Sequence, residues 1–378
     1  MSTERIEYFD SLRGLAALAV LIGHYFGGYG TPTPLITLLS KTPFGMCNDG
    51  FAAVSLFFVL SGLVLSLKYF KRGQASFSLS QEVVPYSLGR IARIYLPFLA
   101  VLFISAFLKY RVSHVMNTFP PQAGDLTYLW GTPDTVSSFL KQTFLFRSPF
   151  ASPYRIIPQD WTLTTEINLS LCIPMLVAIA FQSSAALGLF TFLIIAFLGT
   201  HGFLFHFTLG IFIAQYFTTI QTWVREQSIV IKTLLLILAI VFYSYRTTRF
   251  AIPEMVRPSF KESWIWYVNG CGSAILIMLA MGIKRFQTLL HLPWLTFLGK
   301  ISYSFYLLHY AVIFCFTPRW LLFLQHFGSL SFNVANICGL IGTIIASVLV
   351  SILSYYAIEV PSIQWGRSMA QRFRQRKS

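Results

Sequence analysis

Arg13 and His24 stand in one apolar run, SLRGLAALAVLIGHYF, and Glu166 stands in another, QDWTLTTEINLSL. A charged or titratable side chain in lipid costs several kcal/mol unless it faces protein or a wet cavity. Eleven residues along a helix rise roughly 16 Å. Arg13 and His24 therefore share a helix face and lie about half a bilayer apart. Either Arg13 snorkels to the headgroups and His24 is a hydrogen-bonded packing residue, or together they present a cation low and an imidazole high on one wall. Glu166 is the acid set well inside an apolar run, whereas Asp10 and Glu359 sit at run ends. It is expected near the depth of His24, with His24 or a tyrosine as partner, and serves there as a functional carboxylate or as a structural clamp.

Two further patterns carry polar groups. Arg90 and Arg93 in YSLGRIARIYLP point the same way on a helix. Two guanidiniums can hold phosphates bidentately, or they can simply mark the cytoplasmic side. Ser302, Tyr306 and His309 in KISYSFYLLHYAV form a polar stripe, read as an interhelical hydrogen-bond seam or as part of a site. Ser55, Gly62 and Ser66 share a small-residue face that suits close helix packing. His201 and His206 suit interface anchoring.

The elements that must position these groups are membrane helices. The chain of 378 residues is 55% hydrophobic and only 11% charged, against roughly 25% in soluble domains. The sequence predicts an all-α, multi-pass helical bundle with spans near 11–29, 50–67, 94–109, 161–181, 185–200, 202–219, 229–245, 264–283, 295–317 and 334–357. Basic residues cluster after the second span (Lys68, Lys71, Arg72, Arg90, Arg93), after the eighth (Lys284, Arg285) and in the tail (Arg367, Arg372, Arg374, Arg376, Lys377). The positive-inside rule then puts both termini in the cytoplasm and accounts for the net charge of +15 without nucleic acid. Arg111, Lys141, Arg147 and Arg155 fall in the long segment of about 110–160 that this model puts outside, where the rule is weak. That segment predicts one short helix, SSFLKQTFLF. The rest divides into a transmembrane domain over 1–365 and a free basic cytoplasmic tail over 366–378. No retained pattern has metal-ligand spacing, and the five cysteines suggest no disulfide framework.

In this order the motifs resemble the membrane acyltransferase-3 family. The matching residues are Arg13 and His24; Phe57, Phe58, Ser61 and Gly62; Arg90 and Arg93 before Pro97; Trp161, Thr162, Leu163 and Glu166; Ser302, Tyr303, Ser304, Tyr306 and His309; and Glu359 with Pro361. Gly89 stands where relatives often carry a further arginine. The stand-alone form, without a C-terminal SGNH domain, implies action alone or with a separate protein in trans. The resemblance implies transfer of an acyl group from cytoplasmic acyl-coenzyme A, acetyl-coenzyme A first, to a hydroxyl of a surface or exported carbohydrate, in the cytoplasmic (inner) membrane and without a metal. It assigns His24 as general base or acyl carrier, Glu166 and Arg13 as its catalytic companions, and Arg90 and Arg93 as ligands of the coenzyme A phosphates. Ser61, Trp161, Ser302, Tyr306 and His309 would line the substrate path. The rival reading is a proton-coupled exporter of a sugar or polysaccharide, which needs no acyl donor.

Overall fold

A computed structural model of the chain describes residues 6–30, 33–113, 129–131, 135–145, 156–198, 203–248, 262–326, 328 and 330–375. Among them the protein is all-α, with no strand. The first four helices are α1 (Glu7–Tyr29), α2 (Pro34–Ser40), α3 (Gly50–Arg72) and α4 (Leu79–Val112). A short α5 (Val136–Thr143) occupies the predicted SSFLKQTFLF site. Then come α6 (Asp160–Leu171), α7 (Ile173–Gln182), α8 (Ser184–Leu198), α9 (Phe203–Gln215), α10 (Phe217–Glu226), α11 (Ile229–Tyr243) and α12 (Tyr245–Thr248). The last are α13 (Glu262–Gly282), α14 (Lys284–Leu290), α15 (Pro293–Cys315), α16 (Thr317–His326), α17 (Phe332–Ser354) and α18 (Val360–Gln375), the final two joined by a π-helical turn over Tyr355–Glu359. Arg147, Arg155, His201, Arg376 and Lys377 lie outside the described residues.

Within the described residues the predicted spans fall on these helices, two of them on bent helix pairs. Five helices are long and apolar enough to cross a membrane, and seven if each bent pair is one span. The predicted span 161–181 is such a pair, α6 and α7, bent by 46°. Pro174 stands in the first turn of α7, where its missing N–H breaks no helical hydrogen bond. Predicted span 202–219 likewise covers α9 and bends by 78° into α10. The residues expected as a free tail begin inside α18. Gly366 is buried, and a Cβ there would come within 2.6 Å of the Ala92 Cβ.

Two compact units share the chain. One gathers Met1–Ala19, Leu39–Tyr86 and Asn168–Lys300; the other gathers Val20–Leu38, Ser87–Ile167 and Ile301–Ser378. In the first, α3 begins at the Asp49 cap, whose side chain accepts from the backbone N–H of Phe51 at 3.0 Å and of Ala52 at 3.2 Å. Arg246 pairs with the same carboxylate at 3.3 Å and lies over the Phe51 ring. The small face of α3 packs as expected. Ser55, Gly62 and Ser66 are buried, and a Cβ on Gly62 would collide with the Phe207 carbonyl of α9. A Cβ on Gly210 would collide in turn with Val59 and Leu63. His206 differs from expectation. It is fully buried beside the Phe58 and Phe203 rings, because Gly270 leaves it room.

The second unit centres on α15. Tyr25 donates to the Asn336 carbonyl at 2.8 Å, and Tyr29 donates to the Ile313 carbonyl at 2.8 Å. Asn336 Nδ2 returns a bond to the Tyr29 carbonyl at 3.1 Å, tying α1 to α17. Trp130 stacks on Phe314 with ring centroids 4.4 Å apart.

The contact between α3 and α9 is made by backbones, so it cannot yield as a side chain would. Gly62→Val should lower stability by about 3 kcal/mol, the upper end of overpacking costs. Gly27→Ala, where a Cβ meets nothing within 4 Å, should be neutral. Thermal unfolding of the detergent-purified protein would measure both, and equal melting temperatures would refute the backbone contact.

Candidate functional site

His24 and His309 meet in the second unit. Nδ1 of His24 and Nε2 of His309 are joined by a hydrogen bond of 2.9 Å. The rings lie nearly parallel, 5° apart in plane and 5.1 Å between centroids. His309 is fully buried, and His24 is partly exposed. Tyr310 lies against both rings.

Four residues below His309 on α15 the seam continues. Phe305 is buried there, and Tyr306, one residue on, shares a 2.7 Å bond with the Thr162 hydroxyl of α6. The Tyr306 carbonyl accepts from His309 Nδ1 at 2.7 Å and from Gln159 Nε2 at 3.0 Å. Gln159 donates also to the Leu307 carbonyl at 3.0 Å. Tyr303, a turn lower, donates to the Ile94 carbonyl of α4 at 2.7 Å. Ser302 is buried beside it, and Ser304 donates to Glu359 at 2.7 Å. Glu359 is therefore a buried member of this seam rather than a span-end charge, carried inward by the π-helical turn. Such turns recur at functional sites.

A second polar centre lies further along α6. Arg90 Nη2 donates to Glu166 Oε1 at 2.6 Å, and Arg90 is buried. Of the two partners expected for Glu166, His24 or a tyrosine, His24 is instead bonded to His309, while Glu166 pairs with Arg90. Depth counted from span ends gives no azimuth, and α6 turns Glu166 toward α4. The contact also rules out opposite mouths for Arg90 and Glu166. Seven residues of α6, roughly 10 Å of helix rise, run from Gln159 beside the histidines to Glu166 beside Arg90. Arg93 is exposed, unlike Arg90, so the two arginines do not form one open fork. Trp161 is partly buried at the start of α6.

Arg13 and Ser61 belong to the first unit. Arg13 lies 3.6 Å from Asp10 on the same helix, and α1 runs unbroken through both Arg13 and His24. Ser61 is buried.

The sequence reading missed Gln159. An amide next to Asp160 at the edge of an apolar run looks like an interface residue, yet it is buried and donates to two carbonyls of α15. Asp160 is engaged in turn by Gln142 at 2.8 Å.

The Arg90–Glu166 pair predicts an asymmetric response. Glu166→Ala leaves a buried guanidinium without its carboxylate and should cost about 3 kcal/mol. The double variant Arg90→Leu, Glu166→Leu should be more stable than Glu166→Ala. Thermal unfolding of the three proteins checks this, and a double variant no better than the single would show that the pair is not coupled.

Comparison with known proteins gives one match. A family model described as an acyltransferase domain, that of acyltransferase-3, matches residues 6–356. No curated protein and no solved structure matches the chain. With its multiple apolar helices and a match over nearly all of its length, the chain belongs to the acyltransferase-3 family and is a multi-pass membrane acyltransferase.

Proposed function

We propose that the protein moves an acetyl group from cytoplasmic acetyl-coenzyme A to a hydroxyl of a surface or exported carbohydrate, at the cytoplasmic membrane with both termini inside. The observation that carries this reading is the His24–His309 pair, a partly exposed imidazole bonded to a fully buried one. An imidazole titrates near working pH and can take a hydroxyl proton or carry an acyl group.

His24 is the reacting group in this reading. As general base it takes the acceptor's hydroxyl proton while the oxygen attacks the thioester carbon. The new C–O bond forms, the C–S bond breaks, and the thiolate leaves with a proton. As acyl carrier it attacks the thioester itself and hands the acyl group to the hydroxyl in a second step. Arg93, exposed on α4, binds the coenzyme A phosphates. Arg90 supports that mouth from within its pair with Glu166. Trp161, Ser302 and Tyr306 of the second unit line the path, and the chemistry as proposed needs no metal.

His24→Ala should lower transfer by 10²–10⁴-fold, the range for general acid–base groups, with donor binding retained. Acetyl transfer by the protein in lipid nanodiscs, together with surface-glycan masses from deletion and complemented cells, reads the outcome. Wild-type transfer by His24→Ala would overturn the reading. So would sugar export that proceeds without any acyl donor.

Arg93→Lys keeps the charge and loses the planar fork. It should raise the donor KM about tenfold with kcat nearly unchanged, the pattern of lost ground-state binding. An unchanged KM would return Arg93 to a purely topogenic role.

A further inference from the structure

The histidine pair contains more information than its distance. A carbonyl oxygen can only accept a hydrogen bond. His309 Nδ1, 2.7 Å from the Tyr306 carbonyl, must therefore carry a proton. In a neutral imidazole the other nitrogen is then an acceptor. His309 Nε2 is that acceptor, and its partner at 2.9 Å is His24 Nδ1. His24 must donate from Nδ1, which leaves its lone pair on Nε2.

We infer that His309 is a positioning residue that holds His24 in its Nδ1–H tautomer and so assigns the acyl transfer to His24 Nε2. The inference rests on the reading of His24 as the reacting group. The chain of bonds is anchored at both ends. The Tyr306 carbonyl is fixed by Gln159, which spans it and the Leu307 carbonyl. The two rings are kept parallel and flanked by Tyr310. His309 is fully buried, so it offers His24 a fixed acceptor rather than a solvated one.

A histidine thus occupies the place that a carboxylate holds in a serine-protease triad. Among the described residues, the unit's carboxylates have other partners. Glu166 is bonded to Arg90, Glu359 accepts from Ser304, and Asp160 accepts from Gln142. When His24 Nε2 takes the hydroxyl proton, the imidazolium already donates from Nδ1 to His309 Nε2, and the charge spreads onto a second ring whose own N–H points at a carbonyl. When His24 instead attacks the thioester, the new N–acyl bond forms at Nε2, the C–S bond breaks, and the Nδ1 proton has His309 Nε2 as its base. In the second step the acceptor oxygen attacks the acyl carbon, the C–O bond forms and the N–acyl bond breaks. The proton returns from His309 Nε2 to His24 Nδ1, and the hydroxyl proton ends on the coenzyme A thiolate released in the first step.

His309→Leu and His309→Gln separate this role from packing. Leu cannot accept from His24 Nδ1, whereas the Gln Oε1 can. In nanodiscs with acetyl-coenzyme A as probe, His309→Leu should lower kcat about 100-fold, a typical general-base effect, with donor KM within about twofold. His309→Gln should recover at least about tenfold of that loss. Nitrogen NMR of protein labelled with ¹⁵N-histidine, with His24 assigned by difference from His24→Ala, should show protonated Nδ1 and unprotonated Nε2 in the wild type. His309→Leu should shift His24 toward the opposite tautomer. Wild-type kcat in His309→Leu would overturn the inference, as would equal losses in Leu and Gln variants of wild-type melting temperature. An unprotonated His24 Nδ1 in the wild type would do the same even if His309→Leu fails to fold. Activity in His24→Ala would remove the reading of His24 itself. A dead His24→Ala beside a fully active His309→Leu would remove only the present inference.

Discussion

The Tyr306 carbonyl is an α15 backbone group that accepts from two side chains, Gln159 and His309. Much of the second unit depends on it. Gln159 leads directly into α6, so the start of that helix is pinned to the middle of α15. Two turns later α6 delivers Glu166 to Arg90 of α4. His309, on the other branch, delivers the bond to His24 of α1. One carbonyl thus sets the register of α6 against α15 and, through it, the positions of both polar centres. The lipid setting explains why such a hub is needed. Without water, each polar group must find its partner inside the protein, and a misplaced helix strands several at once.

The first unit uses a different means of fixing distance. Gly62 and Gly210 face each other across α3 and α9, so main chains touch where side chains would otherwise intervene. Between lipid-embedded helices, close approach and polar bonds replace the hydrophobic drive that water would supply. Tyr243 accepts at its carbonyl from Asn269 at 2.7 Å, a bond of the second kind that joins α11 to α13.

Reading residues by their cost in lipid singles out Arg13, His24 and Glu166; Arg90 and His309 stand out by the spacing of polar groups on one helix face. It did not find who pairs with whom. Depth on separate helices offers His24 or a tyrosine as the partner of Glu166, and depth carries no information about which way a helix faces. Helix periodicity placed helices in the right stretches, yet it predicted ten spans where five to seven are long and apolar enough to cross a membrane, and it merged α6 with α7, since a 46° bend at Cys172–Pro174 leaves the apolar pattern intact. Gln159 escaped because its role lies in two backbone carbonyls of a helix nearly 150 positions away. Backbone acceptors leave no trace in residue type. The small face of α3 was legible for the opposite reason, since the absence of a side chain is itself a residue type.

The acyltransferase-domain match stops at residue 356, inside the π-helical turn of Tyr355–Glu359. The backbone does not stop there: the helix runs on from α17 through that turn and α18 to Gln375. Similarity and folding therefore draw different borders on this chain. A protein trimmed at the edge of the match would keep every residue of the histidine pair but would lose Glu359 from Ser304 and Gly366 from Ala92. Ser304 would be left as a buried hydroxyl without its carboxylate, two turns of α15 or less from His309. Residues 359–366 are thus part of the fold's internal scaffolding, and a homology boundary used as a cloning boundary would cut through a supporting beam.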